Sequence, residues 1–164
     1  MFIFTGPYEV KKLSVEEFLI GMSSLGTPQE IQMVGSFARA DDESVRTAHR
    51  DVDLPFHRDG VYAKAIADMQ QGKYVEQPNV DIIGMYCVRA DDGDEPCFTT
   101  VSEDGQNVVC EVPLKAGEAL IMDNRWWHGR RGPVGKRLLI RFWITKSATP
   151  IIDPLRTGSD RSGN

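Results

Sequence analysis

The chain has 164 residues, of which 41% are hydrophobic and 26% charged, with a formal net charge of −5. One domain is the expectation at this length, because such a chain buries about 70% of the surface its unfolded form exposes and needs no disulfide or structural metal to fold. The acidic balance argues against a large sequence-independent attraction to nucleic acid, while leaving room for a local basic patch at Arg125, Arg130, Arg131, Lys136 and Arg137.

Residues 2–4 and 9–13 read as short strands, and Met1-Phe2-Ile3-Phe4 lacks the basic start and long apolar run of a signal peptide. Ser14-Val15-Glu16-Glu17 is a capping box, in which the serine oxygen accepts from the N3 amide and Glu17 reaches back. It predicts a helix over 15–25 with Val15, Phe18, Leu19 and Met22 on its apolar face, ended by Gly26. Thr27-Pro28-Gln29-Glu30 has the same form, with proline at N1, and predicts a second, short helix. Residues 40–43 read as a polar loop. Residues 63–71 have helical composition and are expected to pack over the preceding segment as a lid or rim.

Strands are expected over 79–88, 98–101, 107–112, 119–122 and 138–144. Turns are marked by Asp92-Gly93, Asp104-Gly105, Ala116-Gly117 and the stretch from Gly132-Pro133 to Gly135. Repeated short strands with such punctuation predict an antiparallel sandwich or barrel. The single domain is placed at 1–148, and residues 149–164, rich in Pro, Gly and Ser, read as a flexible tail. No run approaches the roughly 20 apolar residues of a membrane span. Cys87, Cys97 and Cys110 are odd in number and lack paired metal spacing, which fits free thiols in a reducing, cytoplasmic compartment.

The chemistry concentrates at His57-Arg58-Asp59 and, far along the chain, His128. Residues i and i+2 of an extended segment point to one side, so His57 and Asp59 can share an ion while Arg58 points away. Two imidazoles and a carboxylate on one face, with the other positions open, select non-haem Fe(II) in oxygen-using enzymes. His49-Arg50-Asp51 is a second H-x-D, without the apolar-Pro-aromatic lead-in or a trailing glycine.

The stretch Leu54-Pro55-Phe56-His57-Arg58-Asp59-Gly60-Val61-Tyr62 resembles the metal-binding segment of the taurine dioxygenase-like (TauD/clavaminate synthase-like) Fe(II)/2-oxoglutarate oxygenases. So does the run from Gly117 through Asp123-Asn124 to His128-Gly129-Arg130, an apolar strand followed by D-N and H-G-R. Arg137-Leu138-Leu139-Ile140-Arg141 then places arginines after the distal histidine as the family does. The likeness covers roughly 50–145. The family's Gly-Gly-x-Thr motif is missing; Glu95-Pro96-Cys97-Phe98-Thr99 stands there instead, with Thr99 or Thr100 as the counterpart threonine. The chain is shorter than typical members and lacks the large insertion before the distal histidine.

The resemblance implies a mainly β fold, a double-stranded β-helix (jelly-roll or cupin-like) core with one or two N-terminal helices. It implies a dioxygenase that uses Fe(II), O2 and 2-oxoglutarate, releases succinate and CO2, and hydroxylates or desaturates a small molecule. His57, Asp59 and His128 are the expected metal ligands and catalytic centre. The carboxylate at 59 stands where related halogenases have a small residue. Arg141 and Arg137 are the expected partners of 2-oxoglutarate, with Thr99. Arg141 is preferred slightly, because a charge inside an apolar strand needs a partner. Tyr62 and Trp126 are candidate substrate contacts. Trp126 and Trp127, as neighbours on a strand, cannot both face the pocket. Two alternatives stand beside this reading: a metal-binding β-helix domain without oxygenase activity, and an oxygenase acting on a macromolecule. The oligomeric state is left open, with a homodimer among the options.

Overall fold

The computed structural model describes residues 2–35, 53–59, 80–90, 97–132 and 134–146. Nine strands and one helix occur there: β1 (Tyr8–Lys12), α1 (Val15–Ser24), β2 (Thr27–Gly35), β3 (Leu54–His57), β4 (Ile82–Arg89), β5 (Phe98–Ser102), β6 (Cys110–Val112), β7 (Glu118–Asp123), β8 (Trp127–Arg131) and β9 (Leu138–Thr145). The protein is mainly β. Its strands form two antiparallel sheets, a five-stranded one in the order β1-β7-β4-β9-β2 and a four-stranded one in the order β3-β8-β5-β6.

The larger sheet is covered on both faces, and its strands record this. Ile83, Met85, Cys87, Leu120, Met122, Leu139 and Trp143 form one buried cluster with Val101 and Val112 of the smaller sheet. Ile82, Tyr86, Ala119, Ile121, Phe142 and Ile144 form a second, under Phe18 and Met22 of α1. Strands buried on both faces read as continuous apolar runs rather than alternating ones, as in Ile-Ile-Gly-Met-Tyr-Cys of β4.

The capping box at Ser14 forms as its sequence requires. Ser14 Oγ accepts from the Glu17 amide at 3.1 Å, and Glu17 Oε2 accepts from the Ser14 amide at 2.7 Å. The expected second helix at Thr27 does not form. Those residues begin β2, which pairs antiparallel with β9 from Thr27↔Thr145 to Gly35↔Leu138. Period 2 overrides the local capping signal: Glu30, Gln32 and Val34 are half-buried, while Ile31 and Met33 alternate with them on the exposed face. Pro28 is tolerated because β2 is an edge strand with a register shift between Pro28 and Glu30.

Residues 2–4 are not a strand either; Phe2 and Phe4 pack as partly buried side chains against the α1 cluster. The strand expected from 107 begins only at Cys110. Asp104 Oδ1 accepts from the amides of Gln106 and Asn107, which removes those groups from any ladder. Gly105 of that turn has φ 76°, which a side chain rarely adopts. The expected helix at 63–71, the turn at Asp92-Gly93, the H-x-D at His49-Arg50-Asp51 and the tail at 149–164 lie outside the described residues. No helix among the described residues is long and apolar enough to cross a membrane.

Candidate metal centre

The two histidines meet because β3 and β8 pair with His57 opposite His128. Their rings lie 4.3 Å apart, centroid to centroid. Gly129 allows this approach: a Cβ there would stand 2.6 Å from the Leu54 carbonyl oxygen and push β3 off β8. Asp59, two residues past His57, turns inward and is buried. Its Oδ1 lies 3.5 Å from His57 Nε2 and 3.8 Å from His128 Nε2. One donor atom from each of the three residues falls within 4.8 Å of the others.

The orientations of His57 and Asp59 are set by neighbours, while the buried Nδ1 of His128 has no hydrogen-bond partner among the described residues. His57 Nδ1 donates to the Pro55 carbonyl at 2.9 Å, which leaves its Nε2 lone pair free. Asp59 Oδ2 accepts from Trp143 Nε1 at 2.6 Å, which leaves Oδ1 to face the imidazoles. Asn124 clamps the backbone beneath. Its Oδ1 accepts from the Asp59 amide at 3.0 Å, and its Nδ2 donates to the carbonyls of Asp59 and Val80 at 2.9 and 2.7 Å. The adjoining turn into β8 is held by the Asp123 carboxylate, which accepts from the Arg125 amide and guanidinium.

The electrostatics suit a cation. Burial pushes the His128 imidazole down to about 4, against the opposing pull of Asp59, so the ring is neutral at neutral pH. Burial works against ionisation of Asp59 too. In acid, where the His128 ring carries its proton, its positive charge, a hydrogen bond from His57 and the Arg141 guanidinium outweigh that burial and hold the carboxyl well below the usual carboxylate range. Two imidazoles and one buried carboxylate are a donor set that fits a divalent first-row metal.

A cavity of about 50 Å³ opens beside this cluster, lined in part by Val34, Met85, Thr99, His128, Arg137 and Arg141. Arg137, the residue before β9, and Arg141 within it are four apart and line the same cavity. Their surroundings differ. Arg137 is only 4% exposed; its Nη2 donates to Thr99 Oγ1 at 2.7 Å and its Nη1 to Cys97 Sγ at 2.8 Å. Among the described residues it has no carboxylate partner, and its Nε has no hydrogen bond. Arg141 is already compensated. Its Nη2 donates to Gln32 Oε1 at 2.7 Å and lies 3.6 Å from Glu30 Oε1, and its Nη1 lies 3.9 Å from Asp59 Oδ1.

Trp126 does not line this cavity. Its ring packs edge-on against Tyr8, 5.9 Å away, at the margin of the inter-sheet core. Trp127 takes the opposite direction and lies under the Arg58 guanidinium. Tyr62 falls outside the described residues. Sequence reasoning passed over Trp143, Gln32 and Cys97, and took Asn124 only for part of a turn. Trp143 and Gln32 could have been placed only by knowing the register of β9 and β2. The three cysteines are all free. No protein-family model matches this sequence, and none of the curated proteins matches it.

Proposed function

We propose that this protein is a non-haem Fe(II)/2-oxoglutarate-dependent dioxygenase that hydroxylates or desaturates a small molecule and releases succinate and CO2. The observation that carries this reading is the buried His57/Asp59/His128 cluster beside Arg137, a buried cation without a carboxylate partner among the described residues. The two facing sheets then correspond to the halves of a double-stranded β-helix, with the metal ligands on β3, just after it and on β8. A cytoplasmic location follows from the same reading of the free thiols.

Bound Fe(II) would supply the redox centre at which 2-oxoglutarate and O2 react. His57 and His128 would hold it through Nε2, and Asp59 through Oδ1. Arg137 would take the distal carboxylate of 2-oxoglutarate, since a guanidinium fork matches a carboxylate with two parallel hydrogen bonds. Thr99, already bonded to Arg137, would complete that seat. The geometry favours Arg137 over the slight sequence preference for Arg141, because among the described residues Arg141 has anionic neighbours and Arg137 has none. Val34, Leu54, Met85 and Leu139 would keep the seat dry and strengthen the pairing. Asp59 occupies the place a halide would need, so hydroxylation or desaturation is preferred to halogenation.

The test is an anaerobic titration of Fe(II)-loaded protein with 2-oxoglutarate. A visible metal-to-ligand charge-transfer band should appear, and succinate should form once O2 is admitted. His128→Ala should abolish both. Arg137→Met should weaken 2-oxoglutarate binding roughly 10–100-fold, the loss of a charge-assisted pair. A folded protein that takes up Fe(II) yet shows neither band nor succinate refutes the oxygenase and leaves a metal-binding domain.

A further inference from the structure

Trp143 is the largest side chain touching the candidate ligands, and neither the H-x-D nor the distal histidine segment includes it. It lies on the inner face of β9, between Ile83 of β4 and Glu30 of β2 in register, and is 8% exposed. An indole so placed in a core is ordinary packing. Its nitrogen makes it more than that. Nε1 donates to Asp59 Oδ2 at 2.6 Å, a short hydrogen bond to a buried carboxylate. The Arg141 guanidinium sits over the indole ring at 4.5 Å from its centroid, and its Nη1 reaches to 3.9 Å from the other oxygen of the same carboxylate.

These contacts divide the two oxygens of Asp59. Oδ2 is tied to the indole, and Oδ1 is turned toward both imidazoles. A carboxylate free to rotate can present either oxygen, or both at once. One oxygen held by a rigid, packed donor presents only the other. The cation over the indole face polarises the ring and makes its N–H a better donor.

On the reading of His57, Asp59 and His128 as a metal site, we propose that Trp143 is a positioning residue that locks Asp59 into one-oxygen coordination through Oδ1. Partners of ligating carboxylates typically contribute about 10–100-fold to metal affinity. Trp143→Phe keeps an aromatic ring in the core and removes only the N–H and part of the ring.

The experiment uses the full chain labelled with ¹⁵N at its three indoles, with Zn(II) as a diamagnetic, redox-silent probe. The cross-peak absent in Trp143→Phe should lie downfield of the other two, as a short bond to a carboxylate requires. It should move when Zn(II) binds, because the metal draws charge from Asp59, while the peaks of Trp126 and Trp127 stay in place. Trp143→Phe should bind Zn(II) about 10–100-fold more weakly. Trp126→Phe and Trp127→Phe assign the Trp143 peak by elimination, so the shift can be read even if Trp143→Phe does not fold. If the protein binds Zn(II) and the Trp143 peak neither lies downfield nor moves, the positioning role is overturned while the metal site stands. If the wild type binds no Zn(II), the metal reading fails and takes this inference with it.

Discussion

Replacing Asn124 with alanine tests the scaffold beneath the site. Asn124 is 7% exposed and lies in the turn between β7 and β8. Its side chain satisfies the Asp59 amide, the Asp59 carbonyl and the Val80 carbonyl. Alanine leaves all of them without that partner in a buried setting. At about 1–1.5 kcal/mol for each of the three stranded groups, the expected loss is roughly 3–4.5 kcal/mol. That is a large share of the 5–15 kcal/mol typical of a domain, and corresponds to a fall in Tm of roughly 10 °C. Urea unfolding of metal-free protein measures the stability, and Zn(II) titration of the folded fraction measures the site. Asn124→Asp sharpens the comparison. It keeps an acceptor for the Asp59 amide but cannot donate to either carbonyl, and it buries a charge, so it should be no more stable than the alanine variant. A loss below about 1 kcal/mol for Asn124→Ala would mean that water replaces the clamp and that the Asp59 backbone is held by other means.

Acid should destabilise the metal-free protein through His128. Its folded-state value of about 4 lies below the ordinary imidazole value of 6.5, so the unfolded chain binds the proton first and stability falls as pH drops through that window. The expected loss between neutral pH and about pH 5 is about 2 kcal/mol by linkage, and urea unfolding at the two pH values should show it in wild type but not in His128→Asn. An equal pH dependence in both proteins refutes the assignment. Phe18→Ala provides the converse case. Phe18 of α1 is fully buried against the face of the larger sheet away from the metal cluster. Its truncation should cost about 3–5 kcal/mol, while Zn(II) affinity of the folded protein stays within about twofold of wild type; a matched loss of affinity shows that the two faces are coupled through β4 and β9.

Local chemistry made part of this fold readable. The helix at Val15 could be predicted because its start is closed by two hydrogen bonds spanning only Ser14 to Glu17. The strands β4, β7 and β9 were visible as apolar runs, with ends displaced by up to three residues. β2 was misread because Thr27-Pro28-Gln29-Glu30 carries a valid local helix signal, and the competing signal lies in β9, more than 100 residues away. The strand start at Cys110 rather than 107 depended on one carboxylate, Asp104, taking up nearby amides.

For the candidate site, the sequence by itself determined the donor types. The two-residue period of an extended chain gave the expectation that His57 and Asp59 converge, but β3 ends at His57 and it is the turn after it that brings Asp59 inward. Only the tertiary structure decided which oxygen of Asp59 faces the imidazoles and which arginine is left without a carboxylate among the described residues. Those depend on Trp143, Asn124, Gln32 and Glu30, whose distances to Asp59 and Arg141 are set by sheet register and by the packing of one sheet on the other. Residue spacing carries no record of either.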